Sequence, residues 1–242
     1  MSTHRHTYPD PHQTAAACAK HIAALLEEAL SGEGQVSLAL SGGSTPKLML
    51  PELAEMKLDW DRVHLFMVDE RAVPPTDPES NYKMIEEAFV GPAHFPHRNV
   101  HRIHAESRPD TAAKRYAEEI KDYFQLDRGA IPHFDVIQLG MGPDAHTASL
   151  FPGEPMIEDR DGIAAAVYSD SRSQWRITLL PAVLLAARHV AFLACGADKA
   201  AAFKSVILDP YDPKKFPAQI VTHHGRRISW FLDEAAASIV QD

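Results

Sequence analysis

Apolar positions along this chain fall into two rhythms. Over residues 14–29, Ala, Cys, Ile and Leu recur at helical spacing, and Ser31-Gly32-Glu33-Gly34 stops the pattern. Residues 36–40 form a short unbroken apolar run, which reads as a buried strand. It runs into Ser41-Gly42-Gly43-Ser44-Thr45-Pro46, and Pro46 suits the first turn of a helix carrying Leu48, Leu50, Leu53 and Met56. Further strands are expected at 63–68, 100–104, 134–139, 163–167, 175–179, 190–195 and 228–232. Helices fit 81–88, 109–124, 181–187, 198–208 and 233–239; in the second of these, Ala112, Tyr116, Ile120 and Phe124 are spaced in fours. Alternating strands and helices predict an α/β fold with a Rossmann-like, mostly parallel sheet covered on both faces. Shorter late connections predict some antiparallel strands near the C-terminus. Residues 1–12, polar and His-rich, are expected to be a flexible leader, and 13–242 a single domain.

Composition narrows the class. Apolar residues make up 45% and charged residues 24%, as in ordinary globular proteins, so a disordered or fibrous chain is excluded. The net charge of −9 comes without a basic stripe, so no nucleic-acid partner is expected. The densest basic cluster, His223-His224-Gly225-Arg226-Arg227, reads as a turn. No stretch of 18 apolar residues exists, so no membrane span is expected, and the N-terminus lacks an apolar signal region. Cys18 and Cys195 form no CxxC pair and read as buried hydrophobes. The expected location is cytoplasmic.

In a parallel sheet, ligands bind beyond the carboxyl ends of the strands. Three segments there are unusual. In Ser41-Gly-Gly-Ser-Thr-Pro46, two glycines allow close backbone approach and a helix N-terminus follows, which suits an anion. It is neither a Walker A loop nor a dinucleotide fingerprint, and an ordinary strand–helix turn would look similar. Asp69-Glu70-Arg71 puts two carboxylates and a guanidinium at a strand end; a surface ion-pair cluster is the plain alternative. In Gly140-Met-Gly-Pro-Asp-Ala-His146, Asp144 can fix the tautomer of His146, which can take a proton from water and return it. Arg176 and Lys199 are cations at strand or helix ends that can reach a phosphate. His94-x-x-His97 and His101-x-x-His104 have no third ligand at a convincing distance, so no metal is expected.

Together these segments resemble the 6-phosphogluconolactonase family, within the wider group of glucosamine-6-phosphate isomerases and deaminases. The matching residues are Ser41-Gly-Gly-Ser-Thr-Pro46, Val68-Asp-Glu-Arg-Ala-Val-Pro74, Ser80-Asn-Tyr82, Gly140-Met-Gly-Pro-Asp-Ala-His-Thr-Ala-Ser-Leu-Phe-Pro-Gly153, Arg176-Ile-Thr178 and Gly196-Ala-Asp-Lys-Ala200. The resemblance implies hydrolysis of 6-phospho-D-glucono-1,5-lactone, the second step of the oxidative pentose phosphate pathway. It implies His146 as general base, Asp144 as its support and Arg71 as stabiliser of developing negative charge. Gly42, Gly43, Ser44 and Thr45 would cradle the phosphate, with Arg176 and Lys199 completing the clamp; Asp69 and Asn81 are further candidates. No cofactor or metal is implied, the partner is a small phosphorylated sugar lactone, and the protein is expected to be a monomer or a dimer. The deaminase branch carries Glu seven residues after the loop Asp, where this chain has Phe151, and Asp-Glu-Tyr where it has Asp69-Glu70-Arg71. A non-catalytic sugar-phosphate sensor would need a DNA-binding segment, and residues 1–12 are too short for one. Ala145 stands where Gly is usual in the lactonases; a left-handed backbone there would cost Ala roughly 1 kcal/mol.

Overall fold

A computed structural model describes residues 2–240. In chain order its elements are β1 (Ser2–Tyr8), α1 (Pro11–Leu30), β2 (Val36–Leu40), α2 (Ser44–Ala54), β3 (Val63–Met67), β4 (Asp69–Arg71), α3 (Asn81–Ile85), β5 (Val100–His101), α4 (Pro109–Phe124), β6 (Val136–Gly140), β7 (Ala164–Ser169), β8 (Gln174–Leu179), α5 (Pro181–Ala186), β9 (His189–Ala194), α6 (Ala200–Leu208), α7 (Gln219–His224), β10 (Arg227–Asp233) and α8 (Glu234–Ala237). Seven strands form a wholly parallel sheet in the order β1-β10-β9-β6-β2-β3-β5. Its central strands are apolar along their length: every residue of β2 is buried, as are Val136, Ile137 and Leu139 of β6 and Val190 to Ala194 of β9. Such runs need cover on both faces, as parallel sheets require. No helix among the described residues is long and apolar enough to cross a membrane. Both cysteines are free and buried, and burial pushes both thiols up, Cys195 to about 12.

The antiparallel pairing lies in a separate small sheet, β4-β8-β7, while the C-terminal strands β9 and β10 are parallel. Asp69-Glu70-Arg71, read from sequence as the tail of the preceding strand, leaves the main sheet to pair with β8.

The N-terminal residues require a correction. They are not a loose leader through residue 12: Ser2–Tyr8 is an edge strand in register with β10, from Ser2 beside Arg227 to Tyr8 beside Asp233. An edge strand can be held through its main chain and needs no apolar side chains; polar residues there also block edge-to-edge association. Hydropathy therefore gave no signal. His6 stacks on Phe231 at 5.0 Å, and Asp10 caps α1 by accepting from the Gln13 N–H at 2.9 Å, so that helix starts three residues earlier than its apolar rhythm does. His223 and His224 are not a turn but the last turn of α7. The strand expected at 100–104 is reduced to two residues.

Candidate functional site

Leaving β2, the chain turns toward β3 on one side; leaving β6, it lies on the other side of β2. The two post-strand loops diverge there, and such a switch point is where an open parallel sheet forms a cleft. One cavity, of about 180 Å3, is bounded by the Gly42–Thr45 loop, Asp69, Arg71, Asn81, the 140–146 loop, Arg172 and Lys199. A neighbouring lobe of about 290 Å3 shares Asp69, Arg71, His146, Ala148 and Arg172, and adds Glu79, Ser149, Phe151, Gln174 and Arg176. The cleft faces four cations, Arg71, Arg172, Arg176 and Lys199, against the carboxylates of Asp69 and Glu79. In a chain of net charge −9, that gathering of cations, with Asp144 and Asp198 engaged by His146 and Lys199, suits an anionic ligand.

The first wall is backbone. Gly43, at φ +117°, is the N-cap of α2, with no side chain capping the helix. The first internal helix bond runs from Lys47 N–H to Gly43 C=O, so the Ser44 and Thr45 N–H groups, without a backbone partner among the described residues, lie at the positive end of the helix dipole. The Ser41 hydroxyl is tied to β6, donating to Gln138 C=O at 3.0 Å. A Cβ on Gly42 would fall 1.8 Å from Asn81 Oδ1, so the loop is packed directly on Asn81. Lys199 lines this lobe with its ammonium 2.8 Å from Asp198.

The centre is the Asp144–His146 pair. Asp144 Oδ1 lies 2.5 Å from His146 Nδ1 and accepts from the His146 N–H at 3.2 Å. Burial alone would raise the Asp144 carboxyl; the hydrogen bonds and charge of His146 outweigh it and bring it down to about 2. A carboxylate on Nδ1 fixes the tautomer and leaves Nε2 free for a proton. The loop turns through Ala145 at φ +63°, the left-handed conformation expected to be strained for Ala, and His146 still reaches Asp144. Phe151 places its ring 4.7 Å from the imidazole.

The last wall is the small sheet. Asp69 is buried, accepting from the Ser149 hydroxyl at 2.6 Å and, through its carbonyl, from Asn81 Nδ2 at 2.9 Å. Arg71 donates to Glu79 C=O and faces Arg176 across the β4–β8 ladder. Arg176 is 8% exposed, and its Nε has no partner among the described residues. Its burial, and then the charge of Arg71, weaken its hold on its proton, while Asp69 and Glu79 oppose them. Arg176 lines the larger lobe and Lys199 the glycine-loop lobe, so the two expected clamp residues line different lobes, both of which His146 and Arg71 border.

All eleven sequence candidates converge on this cleft or support it. Sequence reading missed Arg172, Ser149 and Glu79. Arg172 sits in a polar turn between two strands, and its only signal was a second Arg four residues before Arg176. A larger cavity of about 480 Å3 opens at the amino ends of the strands, lined by Arg188, Arg226 and Arg227 with Glu28 and Asp135. Arg188 pairs with Asp135 at 3.2 Å and the His189 imidazole lies 3.3 Å from the Arg227 guanidinium, so among the described residues this cavity pairs no imidazole with a carboxylate as Asp144 and His146 are paired.

Residues 9–230 match the family described as glucosamine-6-phosphate isomerases/6-phosphogluconolactonase. The 6-phosphogluconolactonase of Synechocystis is 36% identical over 212 residues, covering 87% of each chain. That of Homo sapiens is 37% identical over 233 residues, covering 93% of this chain and 89% of its own. Among solved structures, the 6-phosphogluconolactonase of Trypanosoma brucei superposes with a TM-score of 0.87 at 28% identity, covering 99% of each chain. A monomeric glucosamine-6-phosphate deaminase shares the fold at a TM-score of 0.82 and 18% identity.

Proposed function

We propose that this chain, which belongs to the glucosamine-6-phosphate isomerase/6-phosphogluconolactonase family, hydrolyses 6-phospho-D-glucono-1,5-lactone to 6-phospho-D-gluconate. The reading rests most on one observation: an imidazole held by a carboxylate at 2.5 Å stands between a helix-end anion cradle and an arginine-rich lobe. The phosphate sits on the Ser44 and Thr45 N–H groups and on Lys199, which carries the lactone carbonyl to His146. His146 Nε2 takes a proton from water as the water oxygen attacks the carbonyl carbon. The carbonyl oxygen becomes an oxyanion, stabilised by Arg71 with Arg172 beside it. Collapse restores the carbonyl and breaks its bond to the ring oxygen, which takes the proton back from His146. The new acid ionises to a carboxylate, whose natural seat is the lobe of Arg71, Arg172 and Arg176.

Asp144 holds the imidazole in the useful tautomer throughout; it need not accept the proton. A lactone is an activated ester, so no cofactor or metal is required. Phe151 argues against the deaminase reading, because the side chain that faces the imidazole at 4.7 Å carries no acid or base.

The test generates the lactone in situ and follows its decay with wild type, with His146→Ala and with no protein. Faster decay with wild type, lost in the variant, supports the function and the base together. Faster decay that survives in the variant removes His146 from the mechanism. Decay at the spontaneous rate, with glucosamine-6-phosphate consumed instead, would overturn the lactonase reading.

A further inference from the structure

Glu70 lines no part of the cleft, yet it is among the most buried charged groups of the protein, at 2% exposure. Side chains alternate along a strand, so Asp69 and Arg71 of β4 turn toward the cleft and Glu70 turns away. Its carboxylate is saturated by four donors. Oε1 accepts the N–H groups of Arg71 and Asn81, each at 2.7 Å. Oε2 accepts the Ser80 hydroxyl at 2.9 Å and the Tyr82 N–H at 2.8 Å. A carboxylate has about four acceptor sites and no donor. A neutral amide in the same place could not satisfy both sides.

These bonds join the two ends of the proline-rich segment from Arg71 to Ser80. That segment contains Pro74, Pro75 and Pro78, and its far end supplies the Glu79 carbonyl that holds the Arg71 guanidinium. The same clasp fixes Asn81, which packs on Gly42 of the anion cradle and donates to Asp69. Two walls of the cleft are therefore referenced to one buried carboxylate. Burying an ion is costly unless it is fully bonded; the geometry points to Glu70 as a positioning residue for lactone hydrolysis, acting through Arg71 by closing the 71–80 loop onto β4. This rests on the lactonase reading and on Arg71 as the group that meets the developing oxyanion.

The experiment is a double-substitution cycle on kcat with lactone generated in situ, using Glu70→Gln, Arg71→Met and the two combined; His146→Ala serves as the control for the reading beneath it. The expected result is that Glu70→Gln lowers kcat at least tenfold with KM changed no more than threefold. In the Arg71→Met background, the same change lowers kcat less than twofold. A Glu70→Gln protein that keeps kcat within twofold of wild type overturns the proposal. So does an equal loss in both backgrounds, which would mean that Glu70 supports the fold and not Arg71. If Glu70→Gln does not fold, Ser80→Ala removes one of the four donors and decides the matter. A severalfold kcat loss that disappears beside Arg71→Met supports the clasp, and an unchanged kcat, or a loss that persists beside Arg71→Met, overturns it. Wild type with no activity, or His146→Ala with full activity, would instead remove the lactonase mechanism itself.

Discussion

Substituting Gly142 by Ala gives the sharpest test of where the base must stand. Gly142 is buried, has no positive φ and donates its N–H to His146 C=O at 2.9 Å, so Ala is conformationally acceptable there. The added methyl would nevertheless lie 2.1 Å from His146 Nδ1, 2.2 Å from Cε1 and 2.5 Å from Asp144 Oδ1. Ordinary contact is about 3.5 Å, so the ring must retreat by roughly 1.4 Å. The Asp144 bond of 2.5 Å cannot survive that movement in its present geometry, and Phe151 limits where the ring can go. A misplacement of about 1 Å can cost on the order of 10²-fold, and a general base contributes roughly 10²–10⁴-fold in all. Gly142→Ala should therefore lose about 10²-fold in kcat while still melting cooperatively. The assay is initial-rate lactone decay over the spontaneous background, with thermal denaturation of the same samples. The double variant with His146→Ala should be no slower than His146→Ala alone. A folded Gly142→Ala protein keeping more than half the wild-type kcat would show that the Asp144-bonded imidazole is not the base.

Other outcomes follow from the same structure. Arg176→Met should raise KM about tenfold or more, since a charge-assisted bond contributes about 1.5–3 kcal/mol, while thermal stability holds or rises because a buried guanidinium with an unpartnered Nε is lost; unchanged KM would remove Arg176 from the site. Asp144 has its folded-state pKa depressed from 3.8 to about 2, so the unfolded chain binds more protons across that window and stability falls as pH drops through it. Asp144 is 40% exposed, so solvent discounts the effect; urea midpoints should fall between pH 4 and pH 2 somewhat more steeply for wild type than for Asp144→Asn. Ala145→Gly relieves about 1 kcal/mol of left-handed strain and gives back part of it through the freer unfolded chain, so Tm should rise by about 1–2 °C; a fall of several degrees would contradict that reading. Deleting residues 2–8 should lower Tm by several degrees, roughly, and increase light scattering, because the β10 edge is uncovered.

The parts of the site that sequence made legible are those whose chemistry is contiguous. Gly42 to Thr45 and Asp144 to His146 each fit in one post-strand loop, and residue type and spacing carry the geometry. The parts that escaped are created by tertiary pairing. Arg176 and Arg71 are each legible as candidate cations, but their meeting is not: β4 pairs with β8 outside the parallel sheet, and a three-residue strand has no periodicity to announce that turn. Arg172 reaches the cleft from an exposed turn whose residues look like any polar loop. The role of Glu70 is visible only when its four donors are seen together, since two carboxylates in a row read alike until one faces the cleft and the other faces the loop. The edge strand β1 was missed for the same reason: its main-chain pairing with β10 leaves no mark in hydropathy.

That edge strand also sets an order for assembly. Ser2 pairs with Arg227 and Tyr8 with Asp233, so each residue of β1 waits for a partner 225 positions further along the chain. Contacts so distant along the chain are slow to form, because the intervening loop must first be closed by other structure. The strands from β2 to β6 can begin to associate while synthesis continues, but the nascent N-terminal segment stays unpaired until β10 emerges. Its histidines, arginine and hydroxyls keep it soluble through that interval, so the polar character that hid this strand in the sequence is also what lets it wait.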